Sequence, residues 1–159
     1  MKTIEADFLP RVFGVHSPPL KPVTDSAAKG IRRILMVDND SNSTHLVKIL
    51  LERSGPYRVM EENDATKAHQ TAGSYRPDLI LLDVVMPGLD GGEVAEQIKA
   101  DRELHNTPII FLTGLVTNAE AKRGLHIQGR PALAKPINIP ELIDAIETHM
   151  RAHLQLCCN

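Results

Sequence analysis

The stretch LILLDVVMPGLDGGEV, residues 79–94, opens with four large aliphatic residues and meets a carboxylate at Asp83. It then turns at Pro87-Gly88 and continues with helical character from Gly91. An apolar run without polar alternation fits a strand covered on both faces, as in a parallel sheet. A charge at the end of such a run is costly unless something pairs with it. Asp83 therefore calls for a cation nearby.

Working outward, the same alternation of short apolar runs and amphipathic segments recurs. RILMVD (33–38), YRVME (57–61), DLILLD (78–83), PIIFLT (108–113) and PALAKP (131–136) read as strands. SNSTHLVKILLERSG (41–55), DATKAHQTAGSY (64–75), GGEVAEQIKADREL (91–104), NAEAKRGLH (118–126) and PELIDAIETHMRAHL (140–154) read as helices. Gly55-Pro56 stops the first helix, Asp64 caps the second, and Pro140 fits the first turn of the last. Leu46, Ile49, Leu50 and Arg53 share one helix face, Val94 and Ile98 share another, and Leu142, Ile143, Ile146 and Met150 are expected to face inward. Five strand–helix pairs with right-handed crossovers give an α/β fold: a doubly wound, five-stranded parallel sheet with helices on both faces. In such sheets the site lies at the C-terminal ends of the strands.

Composition narrows the classes. Aromatic residues make up only 3% of the chain and Trp is absent, so the core is aliphatic. A net charge of −2 with scattered Lys and Arg gives no footprint for nucleic acid. There is no apolar run of ~18 residues to span a membrane and no secretory signal. Cys157 and Cys158 are adjacent and frame no disulfide. These features lead us to expect a cytoplasmic protein. Residues 1–29, with Pro10, Pro18, Pro19 and Pro22, read as a tail or linker. The domain is expected over 30–155, and residues 156–159 form a C-terminal tail. His149 and His153 have i, i+4 spacing, but without a carboxylate motif they read as exposed histidines rather than metal ligands.

The strand ends are Asp38, Asp83, Thr113 and Lys135, with Asn39 and Asp40 just past the first. Two carboxylates ~5 Å apart repel by about 3 kcal/mol at an effective dielectric near 20. Hard oxygen ligands without His or Cys suit Mg²⁺ with several waters retained, an ion that also takes phosphate oxygens. Lys135 is a compact charge for a phosphoryl oxygen, and Thr113 offers a hydroxyl. Asp83, the central acid, can act as a nucleophile toward a phosphoryl group. Val85 would offer its backbone carbonyl to the metal. Asp90 reads as a helix cap rather than a ligand.

From about Ile31 to Leu154 the chain resembles the receiver domain of two-component response regulators, as single-domain, chemotaxis-regulator-like proteins have it. ILMVDND carries the acidic cluster, LILLDVVMPGLDGGE the phosphoacceptor loop, IIFLTG the hydroxyl and LAKP the lysine. The resemblance implies a flavodoxin-like strand order 2-1-3-4-5 and a cis Lys135–Pro136 bond. It implies that Asp83 accepts phosphate from a sensor histidine kinase or phosphotransfer protein, that Thr113 senses it and that Lys135 contacts it. It implies Mg²⁺ held by Asp38, Asn39, Asp83 and the Val85 carbonyl, with Asp40 as a further candidate. Output is expected through a downstream protein target rather than an output domain or an enzymatic activity. The last two helices and final strand form the expected contact face, and a homodimer through that face is a further expectation.

The chain departs from the family pattern at three places. Asn39 holds the position of a second acid, so weaker Mg²⁺ binding is expected. Ala132 holds a position where the family often has Tyr or Phe, so no ring can swing inward there. Gly114 follows Thr113 and, with Val85, sits where receivers tune the lifetime of the acyl phosphate. Two alternatives stay open. One is a haloacid-dehalogenase-type phosphatase with Asp38 as nucleophile and Asp40 as acid–base. The other is a degenerate receiver that acts without phosphate.

Overall fold

The computed structural model describes residues 30–115 and 126–157. In chain order these form β1 (Arg32–Val37), α1 (Ser41–Ser54), β2 (Tyr57–Glu62), a 3-10 turn (Ala65–Lys67), α2 (Ala68–Tyr75), β3 (Leu79–Asp83) and α3 (Gly91–Ala100). They continue with β4 (Ile109–Thr113), β5 (His126–Ile127), β6 (Arg130–Ala134) and α4 (Ile139–Cys157).

The sheet order is β2-β1-β3-β4-β6-β5. The first five members of that series pair in parallel. This is the doubly wound, flavodoxin-like arrangement expected, with one correction. A sixth strand, β5, runs antiparallel to β6. It forms a hairpin whose turn residues Gln128 and Gly129 have φ of 51° and 74°, the left-handed geometry of tight two-residue hairpin turns. His126, expected at the end of a helix over 118–126, begins this strand. Residues 118–125 lie outside the described residues.

Side chains alternate across the buried strands and feed two separate cores. Ile34, Met36, Leu79, Leu81, Ile110 and Leu112 face α1 and α4, where they meet Val47, Leu51, Leu142 and Ile146. Leu35, Val37, Ile80, Leu82 and Phe111 face the other side, where Ala68, Ala72, Val94, Ala95 and Ile98 of α2 and α3 cover them. Both faces are covered, which is why these strands show no polar alternation in sequence.

Three helix expectations are corrected. In α1 the buried residues are Thr44, Val47 and Leu51, while Leu46 is 58% exposed. The inward stripe is thus rotated from the shared face of Leu46, Ile49, Leu50 and Arg53. The helix over 91–104 stops at Ala100, because Asp101 turns extended and its carboxylate accepts from the Glu103 backbone N–H at 2.8 Å. Leu104 is nonetheless buried, from the turn that follows. The segment 64–75 starts as a 3-10 turn under an Asp64 cap before becoming α2. His149 and His153 are half-buried rather than exposed. Among the described residues no group of three or more His, Cys, Asp or Glu could hold a metal ion, and no helix is long and apolar enough to cross a membrane.

Candidate functional site

Strand register brings the chemistry together. Val37 pairs with Leu82, Asp83 with Leu112, and Thr113 with Ala134. Asp38, Asp83, Thr113 and Lys135 therefore emerge side by side at the C-terminal edge. Asp38, Asp83 and Thr113 are buried and Lys135 is half-buried.

The Lys135 ammonium lies between the two acids. Its Nζ is 2.6 Å from Asp38 Oδ2 and 3.1 Å from Asp83 Oδ1. Burial draws this ammonium toward its neutral form, but its hydrogen bonds to Asp38 and Asp83, joined by their charges, hold its pKa above the usual lysine value. Burial pushes the Asp83 carboxyl up; the Lys135 hydrogen bond opposes this and the charge of Asp38 adds to it. The backbone fixes the lysine in turn, since Lys135 N–H donates to the Thr113 carbonyl at 2.7 Å. The Lys135–Pro136 bond is cis, as the resemblance implied.

Asp38 is the more deeply anchored acid, 1% exposed against 6% for Asp83. Its Oδ1 accepts from the Asp40 N–H at 2.9 Å while Oδ2 takes Lys135. Asn63, which sequence reasoning missed, donates from its amide to the Asp38 carbonyl at 2.7 Å and to the Thr44 hydroxyl at 3.1 Å. Its place just past the end of β2, at the same sheet edge, was the available signal.

The remaining candidates separate by position. Asp40 spends a carboxylate oxygen as the N-cap of α1, accepting from Asn42 N–H at 3.0 Å. Asn39 and Val85 are exposed at the rim. Asp90 forms a reciprocal capping box with Glu93 at the start of α3, the cap expected. Thr113 Oγ1 accepts from the Leu115 N–H at 3.1 Å. The loop after Asp83 is clamped by Gly91, whose N–H donates to the Val84 carbonyl at 2.9 Å. A Cβ on Gly91 would stand 2.2 Å from the Asp83 carbonyl oxygen, so only glycine lets α3 approach the loop this closely. Ala132 is buried opposite Phe111 and supplies no ring. Val85 and Leu115, 58% and 73% exposed, leave apolar surface beside the acids.

Two carboxylates and one ammonium leave an excess negative charge lined by hard oxygen donors. That donor chemistry fits a small divalent cation. The carboxylates of Asp38 and Asp83 are the charged donors, and the Asn39 amide and Val85 carbonyl are the neutral candidates at the rim.

Comparison with known proteins points to one family. A family model for the response regulator receiver domain matches residues 34–147. The transcriptional regulator RpaA of Synechocystis sp. is 31% identical over 119 residues, which cover 75% of this chain and 49% of RpaA. The polar-differentiation response regulator DivK of Brucella anthropi is 29% identical over 119 residues, covering 75% of this chain and 96% of DivK. The chain thus spans about half the length of one relative and nearly all of the other. The receiver domain of a sensor histidine kinase from Pseudomonas aeruginosa, solved with a magnesium ion in its active site cleft, superposes with a TM-score of 0.64. It is 29% identical, and the match covers 75% of this chain and 97% of that one. With the acid, hydroxyl and lysine strand ends gathered at one edge and the family model spanning both cores, the chain belongs to the response regulator receiver domain family.

Proposed function

We propose that the chain is a phosphoaccepting switch of a two-component system, with Asp83 as the acceptor. The observation that carries this reading is the Lys135 ammonium held 3.1 Å from the Asp83 carboxylate. An Asp83 oxygen attacks the phosphorus of a phosphohistidine on a histidine kinase or phosphotransfer protein. The P–N bond breaks as the P–O bond forms, and the electron pair leaves with the imidazole nitrogen. The Lys135 ammonium and the Thr113 hydroxyl then meet two of the phosphoryl oxygens, offsetting charge where it collects. Asp38 keeps Lys135 aimed into the site. Mg²⁺, where bound, supplies further charge neutralisation, with Asp38, Asp83, Asn39 and the Val85 carbonyl as its holders and Asp40 as a further candidate.

Asp83 is favoured over Asp38 as nucleophile because both oxygens of Asp38 are engaged. The cap made by Asp40 likewise argues against an acid–base role there. The domain, over 30–155, signals through a protein target rather than through catalysis. The second-last helix of the expected contact and homodimer face falls outside the described residues. Incubation with a small phosphodonor and Mg²⁺, followed by intact mass spectrometry, tests the reading. One phosphoryl group per chain, lost in Asp83→Asn, is expected. Multiple turnover lost in Asp38→Asn points to the phosphatase instead, and no label at all to a receiver working without phosphate.

A further inference from the structure

At the opposite end of the sheet from Asp83, a groove of about 190 Å³ opens between α4 and the start of β1. Ile31 and Leu154 flank it, each 57% exposed, with Met150 half-buried between α4 and the sheet. By volume the groove has room for a phenyl side chain, since a cavity of roughly 150 Å³ takes benzene; its apolar wall comes from Ile31, Met150 and Leu154, and Asp78, Thr107 and Arg151 also line it. Gly30, where the N-terminal segment joins the fold, itself lines the groove.

That segment carries a matching sequence. Of the three phenylalanines in the chain, Phe8 and Phe13 lie within FLPRVFGV, residues 8–15, with Leu9, Val12 and Val15. Among the described residues the one phenylalanine, Phe111, is buried in the core. A segment whose task is to stay solvated gains nothing from this cluster. Glu5 and Asp7 precede the cluster, and the Arg151 side chain, 74% exposed and 3.9 Å from Glu147, gives the groove lining a positive charge of opposite sign. Residues 16–29 reach at most about 50 Å when extended, ample for a return to the groove. Tethering at Gly30 also gives the segment an effective concentration on the order of millimolar.

We propose that the groove between α4 and β1 is a docking site for residues 8–15 of the same chain, with Phe8 or Phe13 seated between Ile31 and Leu154. The test uses the full chain with Cys158→Ser, a nitroxide attached to Cys157, and paramagnetic broadening read residue by residue. Docking predicts broadening that fades from residue 29 back toward residue 16 and rises again at 8–15. The second rise disappears in Phe8→Ala/Phe13→Ala and in Leu154→Ser, a substitution at a half-exposed position that leaves the core intact. Broadening that falls steadily toward the N-terminus, or a second rise indifferent to both variants, overturns the proposal. A second rise that vanishes on dilution assigns the groove to another copy of the chain and overturns it equally.

Discussion

Lys135 Nζ stands 3.1 Å from Asp83 Oδ1, although Asp83 ends β3 and Lys135 follows β6, two strands that do not pair with one another. The strand between them, β4, supplies the register, and the Thr113 carbonyl fixes the lysine backbone. The pair is thus set by sheet geometry rather than by neighbouring sequence.

Removing the ammonium exposes what it does. Lys135→Ala leaves Asp38 and Asp83 facing each other without a cation. We expect the yield of labelled chain from a small phosphodonor to fall at least about tenfold, which corresponds to roughly 1.4 kcal/mol. Mass spectrometry of the intact chain checks this. An unchanged yield means that Lys135 is structural only.

Removing the charge from Asp83 has the opposite sign for stability. Burial disfavours its ionised form and Asp38 adds repulsion, and together these outweigh the hydrogen bond and charge of Lys135. In metal-free buffer near pH 7, Asp83→Asn is therefore expected to raise unfolding stability. Urea denaturation with a chelator present gives the number, and a clear loss of stability contradicts the electrostatic account.

In the proposed cation site, Asn39 would offer a neutral amide where a charge could stand. Asn39→Asp is expected to tighten Mg²⁺ binding about tenfold, or about 1.4 kcal/mol. Titration calorimetry on both chains decides it. Equal affinities would mean that residue 39 does not reach the ion.

Far from the site, Glu147 on α4 binds Arg32 of β1 and accepts from the Tyr57 hydroxyl at 2.6 Å. The hydrogen bond from Arg32 holds the Glu147 carboxyl below the ordinary glutamate value of 4.5, against the effect of burial. The folded state thus binds fewer protons here than the unfolded chain. The associated stability is present above pH 4.5 and is lost as pH falls through the lower folded value. Burial first, then Glu147, pushes Tyr57 up to about 12 from 10.0. Between these two values the folded state keeps a proton that the unfolded chain has released, so stability falls as pH rises across that window. Unfolding free energy against pH is therefore expected to flatten at the acid end in Glu147→Gln and at the alkaline end in Tyr57→Phe. Profiles that overlay the parent would dismiss this tie.

Two glycines should respond oppositely to alanine. Gly91→Ala places a Cβ 2.2 Å from the Asp83 carbonyl oxygen and 3.0 Å from Val84 Cα. We expect a loss of about 2 kcal/mol or more. Gly73 lies in α2 with nothing within 4 Å of an added Cβ, and Gly73→Ala should gain about 0.5–1 kcal/mol. Thermal melts of the pair separate close approach from ordinary helix propensity.

The sequence alone determined what is local. Unbroken aliphatic runs marked strands covered on both faces, and their terminal Asp, Thr and Lys marked the edge where chemistry collects. Asp64 and Asp90 announced helix starts by cap chemistry that reaches only a few residues. The tertiary structure decided what depends on neighbours distant in the chain. Which stripe of α1 turned inward, Thr44–Val47–Leu51 rather than the stripe with Leu46, followed from its seating on the sheet. The Asn63 hold on Asp38, the clearance that Gly91 gives Asp83, and the β5–β6 hairpin likewise arise only when separate elements meet. Periodicity and capping are properties of a single segment, whereas register and close approach are set by the packing of several segments at once.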